Sequence, residues 1–84
     1  MKKIIWKTRG TCSTAIEVEV DDSGIINRVL YHGGCNGNTQ GIARLVKGMQ
    51  IDDAISKLEG IKCGFRPTSC PDQLAQALKS LKTD

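Results

Sequence analysis

"TAIEVEVDDSGIINRVLYH", Thr14 to His32, decides the fold. In its first seven residues Ile16, Val18 and Val20 alternate with Glu17 and Glu19. That period of two is the mark of a strand with one face buried and one face wet. "DDSG" (Asp21–Gly24) is turn chemistry, with Gly24 able to take positive φ. "IINRVLYH" then reads as a second strand of a hairpin, rich in β-branched and aromatic residues.

Upstream, "KKIIWKT" has the composition of an edge strand, which completes a three-stranded antiparallel meander. Downstream the period changes. After "GGCNGNTQG", Ile42, Leu45, Val46 and Met49 fall at helical spacing, with Asn38 or Thr39 as cap and Gly48 near the end. "IDDAISKLEG" predicts a second helix. Asp52 and Asp53 suit its positive N-terminal end, Ala54, Ile55 and Leu58 supply an apolar side, and Gly60 terminates it. "SCPDQLAQALKSL" predicts a third. Ser69 and Asp72 form an S-x-x-D box, Pro71 fits the first turn, and Leu74, Ala77, Leu78 and Leu81 line the inner face. Strands followed by helices predict an α+β fold, three helices packed on one face of the sheet.

The 84 residues bound the answer to a single domain spanning 1–84. A core this small is often helped by a metal, a disulfide or a partner. A composition of 39% hydrophobic and 25% charged residues excludes a disordered chain. The net charge of +3 is too mild to argue for nucleic acid. Trp6, Tyr31 and Phe65 form no stacking series with basic residues. No apolar run approaches a secretory signal or the roughly 20 residues of a membrane span. The expected location is the cytoplasm, where thiols stay mostly reduced.

Four cysteines carry the chemistry. Cys12 falls between the first two strands, Cys35 before the first helix, Cys63 after the second, and Cys70 at the start of the third. Element ends are where a rigid scaffold presents functional groups, and a helix N-terminus favours thiolate over thiol. Four thiolates suit tetrahedral zinc, with Zn–S near ~2.3 Å, or an iron–sulfur cluster. The spacing is not the C-x-x-C…C-x-x-C of zinc ribbons, so buried thiols and redox chemistry remain alternatives. The missing C-x-x-C pair argues against a thioredoxin-like role. Nucleophilic chemistry would need His32, the single histidine. Gly33, Gly34, Asn36, Gly37 and Asn38 form a second candidate site. Their backbone can approach a ligand closely, and the helix that follows offers N–H groups to an anion such as a nucleotide phosphate. The loop matches neither G-x-x-x-x-G-K-[ST] nor G-x-G-x-x-G. Its preferred reading is a tight turn that presents Cys35.

"TSCPDQLAQAL", with "GGCNGNTQGIARLVKGM" and "GTCS" upstream, closely resembles the TSCPD domain family, from about Gly10 to Leu81. That family includes small stand-alone proteins and a domain of some ribonucleotide reductases. The resemblance implies an accessory role near ribonucleotide reduction, with a reductase as partner and a nucleotide as ligand. The chain is far too short for the reductase catalytic barrel and lacks the C-x-x-C tail. A fold-level similarity extends to the U-type iron–sulfur scaffold proteins. Cys12, Cys35 and Cys70 fall in the order of their three ligand cysteines. Ser69 replaces a histidine there, and Ser13 or Thr14 an acidic ligand; Cys63 is available as fourth ligand. The similarity implies a non-catalytic module binding zinc or an iron–sulfur cluster through Cys12, Cys35, Cys63 and Cys70. The alternative it leaves is a nucleotide- or partner-binding accessory domain.

Overall fold

The computed structural model describes residues 2–8, 13–33, 36–62, 64 and 68–82; at 13 and 36–38 it describes the backbone alone. Three strands, β1 (Lys2–Lys7), β2 (Ser13–Val20) and β3 (Ile26–Gly33), precede three helices, α1 (Asn36–Val46), α2 (Ile51–Leu58) and α3 (Cys70–Lys82). The sheet is antiparallel in the order β1-β2-β3. The predicted α+β meander followed by three helices is the observed fold.

Alternation in β2 sets the register. Ile16, Val18 and Val20 are buried. Opposite them stand Trp6, Ile4 and Lys2 on one side, and Tyr31, Val29 and Ile26 on the other. A strict period of two would put Ile26 and Val29 on opposite faces. The register shift between Glu19 and Val20 resolves this: Glu19 pairs with Arg28, and Val20 pairs with Ile26. Asn27 is thus an extra residue, a β-bulge that returns Ile26 to the core face. The hairpin turn is held by Asp21, whose Oδ1 accepts from the N–H groups of Ser23 (2.9 Å) and Ile25 (3.0 Å). Gly24 takes φ +82° there, and a Cβ on it would stand 3.3 Å from Oε1 of Gln50. Turn geometry and close approach both ask for glycine.

α3 lies across β1 and β2, α1 lies beside β3, and α2 packs on α3. The predicted inner face of α3 is buried as expected, at Leu74, Ala77, Leu78 and Leu81. Burial also extends over Asp72, Gln73 and Ala75, because the first turns of α3 have neighbours on more than one side. α2 meets its prediction, with Ile51, Ala54 and Ile55 buried and Asp52 and Asp53 in its first turn. Its N-terminus is tied to the hairpin, since Ile51 N–H donates to the Gly24 carbonyl (2.9 Å) and Ile26 N–H to the Met49 carbonyl (2.9 Å).

α1 departs from prediction in two ways. It begins at Asn36, so Asn38 and Thr39 lie within the helix rather than capping it. Its inward side is Thr39, Ile42, Ala43 and Val46, while Leu45 is 77% exposed. The spacing template contained Leu45, but a helix packed mainly on β3, with a smaller contact to α3, buries a narrower stripe than the template assumes. No helix among the described residues is long and apolar enough to cross a membrane.

Candidate functional site

The start of α3 is built from polar side chains that are almost all buried. Ser69 accepts the Asp72 N–H on its hydroxyl (3.2 Å), as an N-cap does, and donates the same hydroxyl to the Ile61 carbonyl (2.6 Å). Asp72 does more than a capping box asks. Its Oδ1 accepts the Gly60 N–H at 2.8 Å, and its Oδ2 accepts the Thr68 hydroxyl and Nε2 of Gln76, the latter at 3.0 Å. Burial pushes the Asp72 carboxyl up, but the bonds from Thr68, Gly60 and Gln76 outweigh it and hold the group below its ordinary value. Gln73 closes the network. Its Nε2 donates to Thr68 Oγ1 (3.1 Å), and its Oε1 accepts the Trp6 indole N–H (3.1 Å). Among the described residues no buried side-chain nitrogen or oxygen lacks a partner.

The network fixes a place. Gly60 and Ile61, which follow α2, are bonded to α3, and Trp6 of β1 is bonded to the same first turn. Tyr31 of β3 reaches it too, donating its hydroxyl to the Cys70 carbonyl (2.9 Å). Burial raises the Tyr31 phenol well above its usual range, and a nearby Cys70 thiolate pushes it the same way. Tyr31 therefore remains a neutral donor. Cys70 itself is a half-buried thiol at the first position of α3.

Of the predicted metal ligands, Cys70 is described, and Cys12, Cys35 and Cys63 lie outside the described residues. Among the described residues no cluster of His, Cys, Asp and Glu could hold a metal ion. Of the predicted anion site, Gly34 is likewise outside. Gly33 closes β3 at φ +74° opposite Ser13, and the backbone of Asn36, Gly37 and Asn38 forms the first turn of α1. His32 stands on the outer face, its Nε2 3.0 Å from Oε2 of Glu17, which that bond holds below the usual carboxylate range. Lys79 and Lys82 pair with Glu59 and Asp52. Sequence reasoning missed Thr68, Gln73 and Gln76. Their signal was weak, since amide and hydroxyl side chains near a helix start are ordinary there.

Fold and site define a small α+β module in which a buried polar latch seats a thiol-bearing helix on one end of a three-stranded sheet. The sequence model of the TSCPD domain matches residues 1–82, and the chain belongs to that family. The name spells the latch, Thr68-Ser69-Cys70-Pro71-Asp72. No curated protein and no solved structure matches the chain.

Proposed function

We propose that this TSCPD domain is a non-catalytic metal-binding module of the cytoplasm, with Cys12, Cys35 and Cys70 as ligands and Cys63 as the fourth. One observation carries the reading. The described neighbours of all four cysteines belong to the same end of the sheet. Ser13, next to Cys12, pairs with Gly33, two positions before Cys35. Tyr31, two residues before Gly33, bonds to Cys70. Ile61, two positions before Cys63, bonds to Ser69, next to Cys70. Two residues of chain span at most about 7 Å, so the reading needs no long excursion of chain to gather the thiols. Four thiolates in reach of one another are the donor set of zinc or an iron–sulfur cluster, and a metal is a usual staple for a core of this size. The role of the protein would be to hold the sulfurs and shield them, with amides of the glycine-rich turn donating to thiolate.

Elemental analysis and thiol counting on protein prepared without oxygen test this. The expected result is one zinc or one cluster per chain, with the thiols protected. Metal-free protein with four freely titrating thiols overturns it.

A second reading rests on α1. Its first turn contains no acidic residue and follows the glycine-rich sequence Gly33-Gly34-Cys35, so its positive end is not neutralised by its own side chains. In this reading the domain holds a nucleotide phosphate there as an accessory of ribonucleotide reductase. Titration with ADP, followed by amide shifts from Gly33 to Gly41, tests it; unshifted signals remove the loop as a phosphate site.

A further inference from the structure

The chain's charge is unevenly placed. From Ser23 to Ile51 there is no Asp or Glu, and three of the twelve Lys and Arg, namely Arg28, Arg44 and Lys47, fall there. The other nine match the nine acidic residues, so the whole formal excess of +3 sits on this stretch. The stretch is β3 and α1, and the two elements enclose a groove of about 380 Å3 between them. Its apolar lining is Val29, Leu30, Tyr31 and Ala43, with Gln40 and Arg44 along the helical wall. Leu30 is 38% exposed there, and Leu45, beside Arg44, is 77% exposed. Gly41 has nothing within 4 Å of the position a Cβ would take, so another backbone can come close. Elsewhere Lys3, Lys79 and Lys82 pair with carboxylates. Arg44 and Lys47 make no ion pair among the described residues.

We propose that the β3–α1 face docks an acidic segment of a protein partner that carries apolar anchor side chains. The acidic groups meet Arg44 and Lys47, and the anchors cover Leu30 and Leu45; Arg28 is left out, because it stands opposite Glu19 and close enough to Glu17 to lower its carboxyl. Charge complementarity selects this occupant. A second copy of the chain would bring cations onto cations, which costs affinity. A nucleic acid would find too few cations for its phosphates and no series of exposed rings for its bases. Exposed leucines beside unpaired cations instead suit a partner with both acidic and apolar side chains. The surface shares no ligand with the metal site and stands or falls independently of it.

The test uses the full chain as isolated and a fluorescein-labelled peptide of about a dozen residues built from Glu, Leu and Ala. Control peptides carry Lys in place of Glu, or Ser in place of Leu. The Glu/Leu peptide is expected to bind, to shift the amide signals of Leu30, Ala43 and Arg44, and to weaken as salt rises. Arg44→Glu with Lys47→Glu should lower its affinity by about tenfold or more. Leu45→Ser should lower it by about threefold, with an unchanged far-ultraviolet spectrum in each variant. The proposal is overturned by absence of binding at millimolar peptide. Equal binding of the Glu/Ser peptide, or shifts confined to other elements, also overturns it. So does Arg44-dependent binding of single-stranded RNA or phosphatidylserine vesicles that matches the peptide's affinity, since the face would then read phosphate.

Discussion

β3 borders two regions of opposite character. Near Tyr31 the strand meets the start of α3, where Thr68, Ser69, Asp72 and Gln73 are buried and bonded to each other or to the neighbouring chain. Along its outer edge it meets α1, where Gln40, Arg44 and Leu45 are exposed. In the first region polar residues act on the protein itself. They hold α2's exit, β1 and α3 together, and their hydrogen bonds are worth most because water is excluded. In the second, polar residues do little for stability and are available to something else. Polarity alone therefore does not mark a binding residue; burial and partners decide.

That contrast predicts a steep ordering of mutational effects. Asp72→Ala strands the Gly60 N–H, the Thr68 hydroxyl and Gln76 at once, and should cost about 3 kcal/mol, read as a lowered urea midpoint. The same carboxylate makes stability pH-dependent. Its folded-state value lies below the ordinary 3.8, so its contribution is complete above 3.8 and is lost as pH falls through the lowered folded-state value. Urea midpoints of wild type should therefore drop on acidification through that window, and those of Asp72→Asn should drop less; parallel curves would show that another group governs acid stability. Ser69→Ala removes an N-cap and a bond to Ile61, and about 1–2 kcal/mol should be lost by the same assay. On α1 the sign reverses. Gly41 is helical with open space at its Cβ position, so Gly41→Ala should stabilise by about 0.4–1 kcal/mol. Arg44→Glu should change stability by less than about 0.5 kcal/mol; a larger loss would mean that α1 depends on Arg44 in ways its exposure does not suggest.

Much of the fold was legible because strand and helix periods are local. Ile16, Val18 and Val20 announced β2, and Leu74, Ala77, Leu78 and Leu81 announced the inner face of α3. The bulge at Asn27 was not legible. It shows only when β3 is laid against β2, since the strand's own sequence offers two incompatible faces. Leu45 was misread for a related reason: helical spacing identifies an apolar stripe but not how wide a stripe the neighbour covers. At the site, Ser69 was readable as a cap because its partner is three residues away. The full reach of Asp72 was not, because Gly60 comes from the end of another helix, and no local pattern links the two. The convergence of element ends around Cys70 belongs to the same class, as it depends on tertiary bonds from Tyr31 and Trp6.

Trp6 is the single tryptophan of the chain, and its indole N–H is bonded to Gln73 in the first turns of α3. The protein thus carries its own optical reporter at the joint between its first strand and its last helix. Any event that loosens that joint exchanges an amide partner for water at one indole, so the emission maximum should move to the red. Seating of the last helix can be followed in a cuvette, without a label and without knowing what the protein binds.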